Sequence, residues 1–578
     1  MRNIKNPNQL NIFDPWDFLT PKRRRMLDNG WPGLFREHIL PVIPVNKVAR
    51  YFNETFGRPT KEFYAVMGAL VLQQSFDLTD EEAIQQYAFN IQWHYALNIT
   101  EESDSAKYVS EKTLWNNRNI VAQNNLEDDI FNAGTDRLAQ VFKVNTDIQR
   151  IDSVHIKSNM RRLGRIGIFS ETIHKFIVNL KRNHQEQFTT VEEAIIKKYL
   201  SEKAMGCFSR VKPSQSRKTL NEVSKDLFDL VQHFKGSKQV SAMYSYKLLE
   251  RVLKEHCNLT ESEDGTTVEL KAAKEISSDS LQNPSDPDAT YSGHKGQGYQ
   301  VQLMETYCKD EDGKENTLNL ITHVEVEAAH HSDANALVPA VESAKQRDLL
   351  PEELVADALY GSDENCEKAK QLVVELIAPT MGAAKEDKMS LADFEISQEG
   401  QIVCCPQGHA PSKTKKRKRN SVGFDSQHCQ NCSQLQNCPV EKGKKFYYLR
   451  FSKKEMRIAQ RRAYEQTDEF KDRYRWRSGV EGAISEYDRR TGVKQLRVRG
   501  MKAVKYCATL KALAVNIFRA TAVRKAAAHA EASYKKSHSG LNHAIFVIKE
   551  QFESIWDRVK NICDRYFNHC EHKLIIYA

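Results

Sequence analysis

Three acidic residues occur where a carboxylate is costly to place without a partner. Asp152 lies in the middle of the apolar, strand-like stretch IDSVHIKSN, and Asp357 lies at the end of a second apolar run, LVADALYGS. Glu481 lies in the helix-like segment DRYRWRSGVEGAISEYDRR, residues 472–490, with five arginines around it. A carboxylate buried in a strand needs a counter-charge or a metal ion. Each acid alone also fits a helix cap, a surface ion pair or a salt-bridged strand residue.

Two aspartates on neighbouring strands and a glutamate from a helix packed over them would form a set of oxygen ligands. Hard divalent cations prefer such ligands, and Mg²⁺ fits this set. Two such ions can clamp the attacking and leaving oxygens of a phosphoryl transfer. One interpretation is therefore metal-dependent phosphoryl transfer on a polyanion that the neighbouring arginines hold. The alternative is a solvated helix face with ion pairs between the arginines and the acids.

The segment around Glu481 has the periodicity of one amphipathic helix. Tyr474, Arg477 and Glu481 are spaced i, i+3 and i+7, so they share a stripe. The adjacent stripe is predicted to pack on the sheet and consists of Trp476, Val480, Ala483 and Tyr487. Because the two stripes are rotated by about 100°, Glu481 is predicted at the rim, where a substrate would lie.

Four cysteines upstream of this segment have the spacing of a second metal site. These are Cys405, Cys429, Cys432 and Cys438. The middle pair forms a C-x2-C motif, and four thiolates suit tetrahedral Zn²⁺ in a closed, structural site. His409 or Cys404 could replace one ligand. Reduced cysteines without a metal are the alternative.

A block of basic residues, KTKKRKRN, runs between these cysteines. It contributes Lys413, Lys415, Lys416, Arg417, Lys418 and Arg419. Such a block alone indicates a solvated loop or a localisation signal. Beside a phosphoryl-transfer site, it instead predicts contacts with the DNA backbone, which position DNA without reading its sequence.

The bulk composition is compatible with these sites and excludes few classes. The chain has 578 residues, 40% hydrophobic and 28% charged, with a net charge of +9 that permits a nucleic-acid partner. No apolar run reaches the roughly 18–20 residues that cross a bilayer, and the first residues lack a secretory signal. We therefore expect a cytoplasmic protein without a membrane partner. Neither a P-loop nor a dinucleotide fingerprint occurs, so no nucleotide cofactor is expected.

The elements that would position the acids follow from hydrophobic periodicity. Residues 1 to about 145 have helical spacing, with a capping box at Thr79 and Glu82. Apolar residues alternate around Asp152, which predicts a strand, and a charged helical region follows at roughly 165 to 257. Two further strands, GYQVQLMETY and LNLITHVEVEA, precede alternating helices and strands. This order predicts an α/β fold with a mixed sheet.

Four stretches together carry a resemblance to a known family. They are IDSVHIKSNM, NPSDPDATYSGHKGQGYQVQL, VADALYGS and YRWRSGVEGAISEYDRRTG. In this order they resemble bacterial insertion-sequence transposases of the DDE type, whose catalytic core is RNase H-like. More narrowly, YRWRSGVE is similar to the Y-x2-R-x3-E branch, and the chain resembles the group around insertion sequence eleven-eighty-two.

The resemblance implies roles for individual residues. Asp152, Asp357 and Glu481 match the three catalytic acids, which bind Mg²⁺ or Mn²⁺. Tyr474 and Arg477 match the residues that are expected to touch the transposon end. Two further basic residues, Arg489 and Arg490, follow on the same helix. Related sequences carry a lysine seven residues after the glutamate, where this chain has Asp488. Either arginine that follows would have to replace this contact, or the contact is absent.

The resemblance also implies a domain organisation. An N-terminal helical DNA-binding domain spans 1–145, and an RNase H-like core comprises 146–160 and 285–380. A helical insertion spans 161–284, a Cys-rich basic insertion spans 381–455, a catalytic-helix region closing the core spans 456–525, and a helical tail spans 526–578.

The implied activity is cleavage at transposon ends followed by strand transfer into target DNA. The implied assembly is a homodimer or larger complex on DNA, in the bacterial cytoplasm at the nucleoid. Two alternatives remain open at this point. One is an inactive, transposase-derived DNA-binding protein, and the other is an RNase H-fold nuclease that cuts without joining.

Overall fold

A computed structural model describes most of the chain. The ranges outside the description are 9–13, 201–207, 209–210, 263–264, 311–316, 383–387, 398, 416–418, 538–552, 555, 558 and 561–578. Across the described ranges, every helix is too short or too polar to cross a lipid bilayer.

The N-terminal region is helical, as its periodicity predicts. Its α-helices are α1 (Pro21–Asp28), α2 (Trp31–Leu34), α3 (Val45–Ala49), α4 (Phe63–Ser75), α5 (Asp80–Phe89), α6 (Ile91–Ala96), α7 (Asp104–Lys107), α8 (Glu111–Gln123) and α9 (Leu126–Phe142). The predicted capping box begins α5: the Glu82 N–H donates to Thr79 Oγ1, and the Thr79 N–H donates to the Glu82 carboxylate. This reciprocal pair satisfies two amides that the first turn leaves without helical partners.

The first strand of the sheet, β1 (Ile148–Lys157), is followed by a long helical insertion. Its elements are α10 (Arg165–Asn183), α11 (Gln185–Phe188), α12 (Glu193–Leu200), α13 (Ser216–Phe234), α14 (Lys238–Ser241), α15 (Tyr244–His256), β2 (Cys257–Ser262) and β3 (Gly265–Leu270). These elements bury a hydrophobic cluster of their own, in which the Phe176 ring contacts Phe234 edge-on at 5.6 Å. The insertion therefore supplies much of its own stabilisation.

The two ends of the insertion are held together. The Asn283 side-chain amide donates to the Arg161 carbonyl at 3.1 Å, and the Ser158 hydroxyl donates to Asp286 at 2.5 Å. The chain thus leaves the sheet after β1 and returns to it at nearly the same place.

The central sheet is mixed, which confirms the predicted α/β class. The next elements are β4 (Thr290–Ser292), β5 (Gly296–Thr306), β6 (Ile321–Ala328), α16 (Leu337–Gln346), β7 (Glu353–Val355), α17 (Asp363–Gln371) and β8 (Glu375–Ile377). β1 lies at the centre, antiparallel to β5 and parallel to β7, and β7 pairs in parallel with β8. β5 also pairs antiparallel with β4 and with β6. The strands β5 and β6 are the two that the sequence predicted.

The Cys-rich insertion forms small sheets apart from the central one. Its elements are β9 (Glu395–Ile396), β10 (Ile402–Cys404), β11 (Lys413–Lys415), β12 (Asn420–Asp425), α18 (Ser426–Gln430), β13 (Glu441–Lys442) and β14 (Phe446–Phe451). The hairpin β9–β10 and the sheet β11–β12–β14–β13 enclose an apolar cluster that includes Phe394, Phe424 and Phe451.

Helices complete the described chain. They are α19 (Lys453–Glu465), α20 (Asp468–Tyr474), α21 (Gly479–Thr491) and α22 (Met501–Ser537). The predicted boundary between residues 525 and 526 therefore falls inside one helix, α22.

Helix α22 joins the N-terminal helices and the central sheet into one hydrophobic core. Its Asn516 side chain exchanges two hydrogen bonds with the backbone of Ile321 in β6 and donates to the Thr135 hydroxyl in α9. Its buried Lys511 donates to Asp77 at 2.7 Å. Because one helix is shared, the N-terminal helices hold a fixed position relative to the sheet.

One buried acid in this shared core predicts a pH-dependent stability. Glu127 in the first turn of α9 is fully buried, and burial raises its pKa to about 7, from an ordinary value of 4.5. Its stabilising contribution is therefore complete below pH 4.5 and is lost as the pH rises through about 7. We expect Glu127→Gln to restore up to about 3 kcal/mol of the free energy of unfolding that the native chain loses above this pH.

Thermal unfolding midpoints at about pH 5 and about pH 8.5 provide the measurement. The Glu127→Gln variant should gain stability relative to the native chain only at the higher pH. Glu111→Gln, at an exposed first-turn position of α8, is the matched control. An equal change at both pH values would contradict the assignment.

Candidate active site

Asp152 and Asp357 lie side by side on adjacent parallel strands. The register between β1 and β7 pairs Ile148 with Glu353 and Arg150 with Val355. Extending it by two residues brings Asp152 level with Asp357, just beyond the end of β7. The strand register thus places the two predicted acids next to each other, at the end of β7.

The surroundings of this acid pair are crowded with negative charge. Asp152 is 8% exposed, and burial raises its pKa, with the charges of Asp357 and Asp333 raising it further. One Asp152 oxygen accepts the Ser153 N–H, and one Asp357 oxygen accepts the Leu359 N–H, each at 2.8 Å. The pair therefore requires positive charge nearby.

Arg477 supplies that charge and links the third acid to the pair. Its Nη2 donates to Asp152 Oδ2 at 2.8 Å, and its Nη1 donates to Glu481 Oε1 at 3.3 Å. The Arg477 side chain is 24% exposed and that of Glu481 is 71% exposed. The arginine thus stands between the buried aspartate and the glutamate at the rim.

The segment that carries Arg477 is not the single helix that the periodicity predicts. α20 ends at Tyr474, residues Arg475–Ser478 form a 3₁₀ turn, and α21 begins at Gly479. The Gly479 N–H bonds the Trp476 carbonyl three residues earlier, and Arg150 Nη1 donates to the same carbonyl at 2.9 Å. A tertiary contact from β1 therefore accompanies the break.

The predicted apolar stripe is confirmed, with its first member less deeply buried than the rest. Val480, Ala483 and Tyr487 are buried. Trp476 is half-buried and stacks on Tyr307 after β5, with ring centroids 6.1 Å apart. It packs on the apolar cluster that Tyr307 forms with residues of β7 and β8.

A buried network of ion pairs fixes α21 over the sheet. Glu305 of β5 is 1% exposed and pairs with Arg150 at 2.6 Å and with Arg519 of α22 at 2.9 Å. Arg519 also pairs with Glu486 of α21 at 2.8 Å. Removing one member would leave a buried charge without a partner, so this network specifies where α21 lies.

A second anchor holds α20. Arg473 pairs with Glu353 of β7 at 2.9 Å and with Glu375 of β8 at 2.6 Å. The neighbouring Tyr474 stacks on Phe470 at 5.4 Å. Burial raises the pKa of Tyr474, and the charges of Asp357 and Asp152 contribute.

The structure adds residues that the sequence did not mark. Asp333 lies before α16, 6% exposed, and accepts from the Gln302 amide at 2.9 Å. Lys295, before β5, lies 3.7 Å from Asp333 and donates to the Ser153 hydroxyl at 2.8 Å. No periodic spacing marks these residues because they meet only through the sheet.

The predicted DNA-contacting basic residues are in different situations. Arg490 is held by Glu486 at 2.7 Å and packs over Phe518, whereas Arg489 is exposed. Lys415 in β11 and Arg419 are also exposed. Lys416, Arg417 and Lys418 lie outside the described residues. Of the two arginines after Asp488, Arg489 alone is exposed without an ion pair within the described ranges.

The predicted zinc ligands line one small cavity. Cys405, Cys429, Cys432 and Cys438 surround a volume of about 30 Å³, together with His409 and His428. Tight turns present the thiols, because the Gly408 N–H bonds the Cys405 carbonyl and the Cys432 N–H bonds the Cys429 carbonyl. Cys404 lies outside this group, since its thiol donates to Glu395 at 2.8 Å.

Neither candidate metal site has its ligands drawn together. In the part of the chain that the structure describes, no three histidine, cysteine, aspartate or glutamate side chains are arranged as a formed metal site. The donor chemistry nevertheless fits a hard cation at the acid pair, because burial, with a further contribution from the charge of Asp357, raises the pKa of Asp152. Asp152, Asp357 and Glu481 would hold such an ion once Arg477 released two of them.

Two segments of the chain match known families. Residues 404–521 match a family described as Transposase DDE domain, and residues 26–119 match one described as Transposase domain (DUF772). No curated protein matches the chain. The two matched segments imply DNA binding and DNA transposition in general, and the DDE domain implies a phosphoryl-transfer enzyme that uses a divalent metal. The mixed α/β fold is consistent with an RNase H-like core.

The packing at the start of α21 yields a prediction with a matched control. A Cβ on Gly479 would overlap the guanidinium of Arg150, whereas a Cβ on Gly482, one turn later, would meet open space. We expect Gly479→Ala to destabilise the chain by about 1–3 kcal/mol, because it displaces Arg150 from Glu305 and Trp476.

Gly482→Ala should instead be neutral or stabilise by up to about 1 kcal/mol, since alanine favours a helix. Thermal unfolding midpoints of the two variants, measured together, decide the point. Equal effects of the two substitutions would show that Arg150 does not constrain the start of α21.

Proposed function

We propose that the chain is an active insertion-sequence transposase of the DDE type, in the group around insertion sequence eleven-eighty-two. It would cut DNA at the transposon ends and join the ends to target DNA. One observation carries the proposal: Arg477 joins Asp152, which lies level with Asp357, to Glu481. The last acid lies within the matched Transposase DDE domain.

The three acids would hold Mg²⁺ or Mn²⁺. When bound, the metal supplies Lewis-acid activation of the attacking oxygen and neutralises charge on the leaving oxygen. Because Glu481 is exposed at the rim, its carboxylate is free to turn towards the acid pair. Asp152 is fixed in β1 and sets the position of the site.

Arg477 has a second task in this proposal. Its planar fork suits bidentate contact with a phosphate as well as with carboxylates. With Asp152 and Glu481 holding a metal, the Arg477 guanidinium would be available to donate to oxygens of the DNA phosphate. Positive charge would therefore remain beside the scissile group.

The reaction has two steps at this one site. Water attacks the phosphorus at the transposon end, the bond from phosphorus to the 3′ oxygen breaks, and a 3′-hydroxyl is freed. That hydroxyl then attacks a target phosphodiester, forming a new phosphodiester and releasing the other target strand end. The protein contributes position and charge stabilisation, as in other phosphoryl transfers.

The remaining components of the proposal follow from this activity. The partners are transposon-end DNA and target DNA, and the working assembly is a homodimer or larger complex in the bacterial cytoplasm, at the nucleoid. The N-terminal helices, residues 1–145, would recognise the ends. Tyr474, Arg489 and the basic residues 415–419 would contact the backbone, whereas the ion pair with Glu486 leaves Arg490 less suited to it.

Substitution of each acid tests the proposal. Asp152→Asn, Asp357→Asn and Glu481→Gln should each reduce divalent-metal-dependent cleavage and strand transfer by at least about 100-fold, as expected for removing an electrostatic group at a reacting centre. Binding to the DNA end should persist. Glu342→Gln, on the exposed face of α16, is the control and should act like the native chain.

The substrate is an oligonucleotide duplex that carries the element's own end. Native protein that binds this duplex but never cuts it would favour the inactive DNA-binding protein. Cleavage without joining would favour the nuclease.

We also propose that Cys405, Cys429, Cys432 and Cys438 hold a structural Zn²⁺. Their shared cavity supports this. Burial and the neighbouring thiols raise the pKa of Cys429 to about 11, and a bound Zn²⁺ would instead favour the thiolates. With zinc bound, the site would fasten α18 to the loop after β10.

Metal analysis of purified protein tests the zinc proposal. We expect about one Zn²⁺ per chain, and its loss in Cys429→Ser and Cys432→Ser. Cys404→Ser should keep the metal, because the Cys404 thiol bonds Glu395 outside the cavity. Native protein without bound metal, or equal loss in the Cys404 variant, would contradict the assignment.

A further inference from the structure

A basic pocket of about 590 Å³ opens farther along β1 than Asp152, at His155 and Lys157. It lies where the end of β1, the loop before β5 and the end of α21 meet. Its lining side chains include His155, Lys157, Lys295, Asp488, Lys494 and Gln495. The lysines come from three separate segments of the chain, so the fold brings them together.

Lys295 connects the pocket to the acids. Its ammonium donates to the hydroxyl of Ser153, the residue after Asp152. The same ammonium lies 3.7 Å from Asp333, and the Ser153 N–H donates to Asp152 Oδ1 at 2.8 Å. A chain of direct contacts therefore runs from the pocket to the site where the phosphate would react.

The pocket carries an excess of positive charge. Asp488 is its acid, and it is occupied: the Lys494 N–H donates to it at 3.1 Å, and the Lys494 ammonium lies 3.9 Å from it. Lys157 is exposed and has no ion-pair partner in the described ranges. Burial, with Lys295 and Lys157, lowers the pKa of His155, so this ring leaves the charge at neutral pH to the lysines.

We propose that this pocket binds backbone phosphate of the DNA strand next to the scissile phosphodiester, through Lys157 and Lys494. The inference rests on the proposed function, since it places the pocket beside the reacting strand. Lysine ammonium groups act as point charges that hold a phosphate without reading the base. The pocket would thus fix the direction in which the strand leaves the acids.

The first test is the salt dependence of binding. Lys157→Gln and Lys494→Gln would be compared with Lys235→Gln, an exposed lysine after α13 in the separate helical insertion. The probe is a fluorescent duplex carrying the element's end, titrated in EDTA between about 50 and about 200 mM salt. Each pocket variant should lower the slope of log Kd against log salt by about 0.9, and the control should keep the native slope.

The second test locates the contact. Single phosphates along the cleaved strand would be replaced by uncharged methylphosphonates, one duplex at a time. In the native chain, replacement next to the cleavage position should weaken binding several-fold, about the value of one phosphate contact. In the Lys157→Gln, Lys494→Gln double variant, the same replacement should weaken binding no further. Persistence of the full effect in that variant would overturn the proposal.

The outcomes separate this inference from the proposed function. Native protein that cuts and joins, while the pocket variants keep the native slope and methylphosphonate profile, overturns the pocket alone. Native protein that never cuts, while the coupling to the lysines holds, supports the pocket and overturns the proposed activity. Native protein that does not bind DNA overturns both.

Discussion

The carboxylate of Asp152 is the constraint on which the site depends. It lies in the central strand of the sheet and is almost fully buried. An ionised carboxylate in that position is stable only when a cation faces it. Arg477 provides the cation, and it can do so only if the segment from α20 to α21 crosses the sheet at this point. The position of the third acid, Glu481, follows from the same contact.

Buried charges also set the anchors of that segment. Glu305 receives two arginines from different elements, and the pair at Arg473 ties α20 to the ends of β7 and β8. Such pairs add little net stability, because desolvation offsets their attraction. They do penalise every alternative placement of the helices, since any shift leaves a buried charge unpaired. The ion pairs therefore specify geometry around the acids more than they stabilise the fold.

The sequence predicted the features that depend on local pattern. Alternation around Asp152 identified β1, the apolar residues of α21 were assigned correctly from Val480 onwards, and the Thr79 cap was found from its spacing. The break before Gly479 was missed because a side chain from β1 bonds the Trp476 carbonyl. Asp333 and Lys295 were missed because their partners lie on other elements. The shared core at Asn516 was missed for the same reason, since contacts between elements that lie hundreds of residues apart in the chain leave no periodic signal.

The two helical regions that flank β1 differ in how they attach to the sheet. The insertion has its own core and a closed neck at Arg161 and Asn283, whereas the N-terminal helices share α22 with the sheet. During evolution, the insertion can change independently of the sheet. Its length and surface can change while the two strands at its neck stay in register. The N-terminal helices have no such freedom, because each change at their interface must be matched by a change in α22. Sequence and length differences among related chains should therefore concentrate in the helical insertion.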